Sequence, residues 1–188
     1  MKISNRALIV AATYAAFFFI CPTSASATDC AALMRQHVQT DLALPFAEFD
    51  QNEAGGWRSL SAAGCDSEAA ILIEKYVAAQ EKPHAVLVWH RAQMLARADD
   101  YAQAIQVARL TLRPEESEAA AEFQWNAYVN ATIAFLRGDG ESLKLHREHL
   151  AIASANSPIN RPNLASVDRL QLCFGKPYKE AYSCGRRP

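Results

Sequence analysis

Histidines and acids at helical spacing are the first residues to test for chemistry. "HREH", running from His146 to His149, sets two imidazoles three residues apart with Glu148 between them. A helical zinc hydrolase needs the order H-E-x-x-H, which puts two ligands and a general base on one face. The chain lacks that order, and the spacing suits a charged helix face in water. No G-x-S-x-G elbow, phosphate loop or cysteine-nucleophile context occurs. The expectation is a chain with no catalytic residue, no metal site and no cofactor, hence not an enzyme. A hydrolase with a cleft near His90 and Glu148 is the enzymatic alternative. "NAT" at 130–132 matches a glycosylation sequon but falls inside a helical pattern and is discounted.

Cysteine is the other reactive residue type. Of the five, Cys21 lies in an N-terminal apolar run, which leaves Cys30, Cys65, Cys173 and Cys184. An even number in an oxidising compartment points to disulfides, and four cysteines allow three pairings that sequence alone leaves open. Nearest-neighbour pairing, Cys30–Cys65 and Cys173–Cys184, staples each end of the chain and is the expected arrangement. Closing the shorter loop should contribute on the order of 3 kcal/mol by confining the unfolded chain, and the longer somewhat more. No pair has zinc-knuckle spacing.

The compartment follows from the first 27 residues. Lys2 and Arg6 precede "ALIVAATYAAFFFIC", a stretch short for a membrane span and apt for a signal core. Ala25 and Ala27 form the A-x-A pattern of a cleavage site, so cleavage is expected after Ala27. An uncleaved anchor is the rival reading. A lipoprotein is weaker, because Ile20 and Asp29 precede the two nearest cysteines. The mature chain carries a small net negative charge, without the basic face that nucleic acid requires, and no further segment long enough to anchor in a membrane. The expected product is periplasmic or secreted, with no stable membrane anchor after cleavage.

What must position these groups is a set of helices. Apolar residues recur at helical spacing in "DCAALMRQHVQTDLA", "WRSLSAAG", "DSEAAILIEKYVAAQ", "HAVLVWHRAQMLARA", "YAQAIQVARLTL", "EESEAAAEFQWNAYVNATIAFLR", "ESLKLHREHLAIASA" and "LASVDRLQLCF". "LPFAEFDQNEAGG" reads as a loop holding a short turn, and strand signals are absent. The expected fold is all-α. Its parts are a signal peptide at 1–27, an N-terminal helix and loop at 28–55, helical hairpins at 56–157, and a capping helix with a stapled tail at 158–188.

The breaks recur. Gly64, Asp99 and Gly138 each end a helix, and Ala69, Ala104 and Leu143 stand five residues on. Trp57, Trp89 and Trp125 follow a similar period, as do Pro83, Pro114 and Pro158. The unit is helix, tight turn, helix, exit. "MLARADDYAQAIQVARLTLRP" resembles the turn of the tetratricopeptide repeat, in which a small residue and a tyrosine precede an alanine-led second helix. "AGCDSEAAILIEKYV" keeps Gly64 and Ala69 but has Asp66 at the tyrosine place, and "LRGDGESLKLHREHL" departs further, with Gly140 and Leu143. The resemblance covers roughly residues 56–155. It implies an α-solenoid of about three stacked antiparallel hairpins plus terminal helices, in which Tyr101 packs under the turn and Ala104 lets the helices approach. An irregular bundle is the alternative.

Stacked in register, the leading helices would line a trough. Trp89, Gln93 and Arg97 step by four along one stripe; Trp125, Tyr128 and Thr132 form the next, and Arg58 is nearest in the first unit. Aromatics beside a few polar groups suit a binding groove, and the alternative places Trp89, Trp125 and Tyr128 between hairpins as core. Trp57 reads as core. His90, Arg91, Asn126 and Asn130 interrupt apolar runs and need partners, since an unpaired buried polar group costs about 1–3 kcal/mol. The functional expectation is an exported protein that binds a protein or peptide in the cell envelope, with the trough residues carrying recognition. An immunity or inhibitor protein acting on an envelope-directed toxin or hydrolase is a narrower alternative.

Overall fold

The computed structural model describes residues 28–82, 84–115 and 122–185. The expected signal segment 1–27 and Pro83 lie outside the described residues. Among them the fold is all-α, with nine α-helices and no strand. These are α1 (Cys30–Thr40), α2 (Gly56–Ala62), α3 (Asp66–Ala78), α4 (Ala85–Arg97), α5 (Tyr101–Arg109), α6 (Trp125–Leu136), α7 (Gly140–Asn156), α8 (Arg161–Leu172) and α9 (Tyr178–Tyr182). A π-helical turn at Ala47–Gln51 occupies the expected N-terminal loop, and a 3₁₀ turn at Pro158–Asn160 leads into α8.

The three aligned breaks share one backbone device. Gly64, Asp99 and Gly138 all adopt positive φ, at 85°, 61° and 70°. The next residue's N–H then reaches back five positions: Cys65 to Leu60, Asp100 to Leu95 and Asp139 to Ala134, at 2.9–3.0 Å. This is the left-handed helix stop that satisfies otherwise orphaned carbonyls. Asp99 is the one non-glycine with positive φ among the described residues; aspartate tolerates that region better than most side chains. Asp100 and Asp139 then cap the following helices by accepting from Gln103 N and Ser142 N. Ala69, Ala104 and Leu143, one turn in, are all buried, so each hairpin closes tightly. Gly175, at φ 86°, supplies a further left-handed turn between α8 and α9.

Helices pack as adjacent pairs, α2 with α3, α4 with α5, α6 with α7 and α8 with α9, and each pair leans on the next. The arrangement is compatible with a helical-repeat fold. One continuous core runs through the pairs, with Leu60, Leu72, Ile73, Leu87, Leu143, Leu150 and Leu170 at its centre. Each such side chain contributes roughly 1.5–3 kcal/mol on burial. Both disulfides form as expected, Cys30–Cys65 fastening α1 to the head of α3 and Cys173–Cys184 closing a short loop around α9.

Two elements differ from expectation. Residues 115–137 are not one helix, because α6 begins at Trp125 and Glu122–Gln124 are non-helical, while 116–121 lie outside the described residues. Asn160 explains the late start. Its Oδ1 accepts from Gln124 N and its Nδ2 donates to Glu122 O, so the backbone is held out of helical conformation where a helix would otherwise begin. The tail 158–188 holds a second helix, α9, that the apolar pattern does not announce.

Candidate functional site

The leading helices do approach one another, and the expected trough residues meet there. Trp89 packs edge-on against Trp125 and Tyr128, with ring centroids 5.3 and 5.0 Å away. Gln93 Nε2 donates to the Tyr128 hydroxyl at 3.3 Å. Trp89, Tyr128 and Thr132 are each 3 % exposed and offer no area to a partner; the Trp89 and Tyr128 rings wedge α4 against α6. Thr132 donates to the Tyr128 carbonyl within its own helix. Trp125 is half-buried and donates its indole N–H to Thr111 O at 2.8 Å. Burial pushes the Tyr128 hydroxyl well above the ordinary tyrosine value, with the nearby Tyr182 and Tyr178 adding to it.

The trough has an occupant, and it is α9. Gln93 Nε2 also donates to the Tyr182 hydroxyl at 3.4 Å. Tyr178 is fully buried, its ring 6.1 Å from Phe135, and its N–H donates to the Tyr101 hydroxyl at 3.0 Å. Lys179 Nζ donates to Asp66 Oδ2 at 2.7 Å, while Arg97 Nε donates to Asp66 Oδ1 at 2.8 Å and Ser61 Oγ to the same oxygen at 2.7 Å. Arg97, an expected contact for a partner, therefore binds an aspartate that the chain's own tail also binds. Burial raises the Asp66 carboxyl, and the bonds from Lys179, Arg97 and Ser61 more than offset that, leaving it below the ordinary aspartate value.

Arg58 lies apart, around a second buried carboxylate. Asp50, wholly buried, accepts from His90 Nδ1 at 2.6 Å and from the Trp57 indole at 2.9 Å. Arg58 Nε donates to the Asp50 carbonyl, and its guanidinium stacks 4.3 Å above the Trp57 ring. Burial raises the Asp50 carboxyl, and His90, Trp57 and the Arg58 charge bring it below the ordinary value. The histidine of the hydrolase alternative is thus tied to a structural carboxylate, while Glu148 pairs with Lys144 at 3.9 Å on the surface. Arg91 likewise finds a partner, donating to Glu74 Oε1 at 2.7 Å.

An open cleft lies on the opposite face of α6. It has a volume of about 880 Å³ and runs between α6, α7 and the chain on either side of 116–121. Glu115, Glu122, Asn126, Asn130, His146 and His149 line it, with Ile152 and Ala153 as apolar floor. Asn126 grips the backbone of Arg113 in both directions, accepting from its N–H and donating to its carbonyl at 2.9 Å. Ser157 Oγ donates to Glu122. Asn130, His146 and His149 have no hydrogen bond among the described residues. Burial lowers the His146 imidazole below its ordinary value, and the neighbouring His149 lowers it further, so His146 is neutral at neutral pH. Helical periodicity read "HREH" as a solvated face; what it could not supply was α6 opposite. The readable signal was Asn126 and Asn130, one turn apart.

A third constellation joins an i,i+4 pair at the end of α1 to a residue of α2. His37 Nδ1 lies 2.6 Å from Asp41 Oδ2, and its Nε2 lies 3.1 Å from Ser59 Oγ. Thr40 donates to the other Asp41 oxygen at 2.5 Å. Carboxylate, imidazole and hydroxyl in that order are the parts of an activated serine. The Ser59 hydroxyl is also 2.8 Å from the Gly56 carbonyl, so its single proton serves one of two acceptors.

Donor atoms of Cys30, Cys65 and Glu68 lie within 4.8 Å of one another, but the two sulfurs are bonded together and offer no thiolate to a metal. No helix among the described residues is long and apolar enough to cross a membrane. The chain matches no family model, and comparison with curated proteins and with solved structures finds no match. Any functional reading therefore rests on its own geometry.

Proposed function

We propose that this is an exported, tetratricopeptide-like protein of the periplasm or extracellular space that binds a protein or peptide partner of the cell envelope. Two disulfides suit an oxidising compartment, and the recurring left-handed turn supports hairpin stacking. The α6–α7 cleft receives the partner, because the trough is filled by α9. One observation carries this reading: a concavity of about 880 Å³ whose Asn130, His146 and His149 have no hydrogen-bond partner among the described residues. Such groups lose hydration on binding and must be met by a ligand's donors and acceptors. A photo-crosslinking residue at position 149, against a control at the exposed Gln103, tests it in envelope extracts. A discrete adduct at 149 and none at 103 is expected; equal adducts, or none at 149, would sink it.

The Ser59–His37–Asp41 relay favours a second reading, a small serine hydrolase. None of the three lines the α6–α7 cleft. A fluorophosphonate probe decides: labelling at Ser59 that disappears in Ser59→Ala and His37→Gln supports it, and an unlabelled, folded protein ends it.

A further inference from the structure

On the reading that the α6–α7 cleft receives the partner, we propose that its ligand is an extended, lysine- or arginine-bearing peptide whose backbone is held by Asn130. The chain already carries out this recognition on itself. Asn126 pairs with both the N–H and the carbonyl of Arg113, and Asn160 accepts from Gln124 N while donating to Glu122 O. A carboxamide presents one donor and one acceptor side by side, the spacing an extended peptide unit offers in return. Two such grips border the cleft, and both hold non-helical backbone.

Asn130 continues that track. It stands four residues after Asn126 on α6, so the two side chains leave the helix on the same face, one turn apart. Unlike Asn126, Asn130 has no partner among the described residues. A strand entering beside it would be read as the Arg113 segment is read one turn earlier.

Charge selects the side chains. Glu115 and Glu122 are the carboxylic side chains of the lining, and no lysine or arginine joins them among the described residues. His146 is neutral at neutral pH, and the exposed Ile152 offers apolar contact for the stems of long basic side chains. An acidic peptide would bring like charges together, whereas a basic one gains attraction from both carboxylates, more strongly at low salt.

The test is fluorescence anisotropy on the intact oxidised protein at low salt. The probes are a labelled peptide of alternating lysine and threonine, its glutamate–threonine counterpart, and spermidine as competitor. The basic peptide should bind and the acidic one should not. Asn130→Ala should weaken binding about tenfold with an unchanged circular-dichroism melt. Glu115→Gln with Glu122→Gln should weaken it and flatten its salt dependence. Binding of the acidic peptide, or an unchanged affinity in Asn130→Ala, overturns the proposal, as does displacement by spermidine as effective as by unlabelled peptide. Crosslinking of an acidic or folded partner at position 149 would leave the binding function standing and remove this inference alone.

Discussion

Helix α6 separates two concavities that differ in one respect: one is filled by the chain and the other is not. Tyr128, Thr132 and Phe135 share a face and meet α4 and α9. Asn126 and Asn130, about 200° away around the helix, face the α6–α7 cleft. On the filled side, aromatic rings and a doubly paired carboxylate are buried, and the groups serve stability. On the open side, the Asn130 amide and the His146 and His149 imidazoles have no hydrogen bond among the described residues. Aromatic content alone points to the wrong side, because rings fill space wherever helices meet. Solvent-accessible polar groups gathered in a concavity are the better guide to a site, since their hydrogen-bonding capacity is open to a ligand.

Substitutions should separate the two sides, and the filled side should show the large effects. Trp89→Ala removes the wedge between α4 and α6 and should cost ~4 kcal/mol, lowering Tm by about 10 °C. A melt within 2 °C of wild type, roughly the noise of a surface change, would return Trp89 to the groove. Asp66→Ala should cost about 3 kcal/mol by leaving Arg97 and Lys179 without their shared partner, read by denaturant titration. Removing the Cys173–Cys184 bridge by a double serine change should cost ~2–3 kcal/mol.

Acid should act on the same side. Asp50 and Asp66 titrate below the ordinary aspartate value in the folded chain, so the stability they confer is present above about pH 4 and is lost as pH falls through the folded values. Far-ultraviolet circular dichroism should show an unfolding limb there that Asp66→Asn reduces. The smallest effect belongs to the open side, where His149→Ala should change stability by less than ~0.5 kcal/mol. A large loss there would mean that the cleft is structural after all.

Much of the architecture was readable. The spacing of Gly64, Asp99 and Gly138 announced the hairpins, because a left-handed stop and the small residue behind it are local requirements written in adjacent residues. Of the three pairings the sequence leaves open, the favoured nearest-neighbour one is the one that forms. Helix α9 was not readable, since "YKEAY" is too short to carry a periodic signal and its stability comes from packing rather than propensity. The Ser59–His37–Asp41 relay was hidden in part: His37 and Asp41 stand four residues apart at the end of α1, but Ser59 comes from α2 with no motif to link it. His90, Arg91 and Asn126 were recognisable as polar groups in need of partners, but Asp50, Glu74 and the Arg113 backbone could not be named from one dimension.

By itself, then, the order of residues determined where most of the helices stop, and that neighbouring pairs must share a core, because backbone hydrogen bonding and apolar periodicity act over a few residues. Only the tertiary structure decided which concavity is closed, because that depends on Tyr178, Lys179 and Tyr182 returning across the molecule to Asp66 and Gln93. Contacts between such distant residues depend on the summed geometry of every intervening turn, and no local pattern encodes that sum.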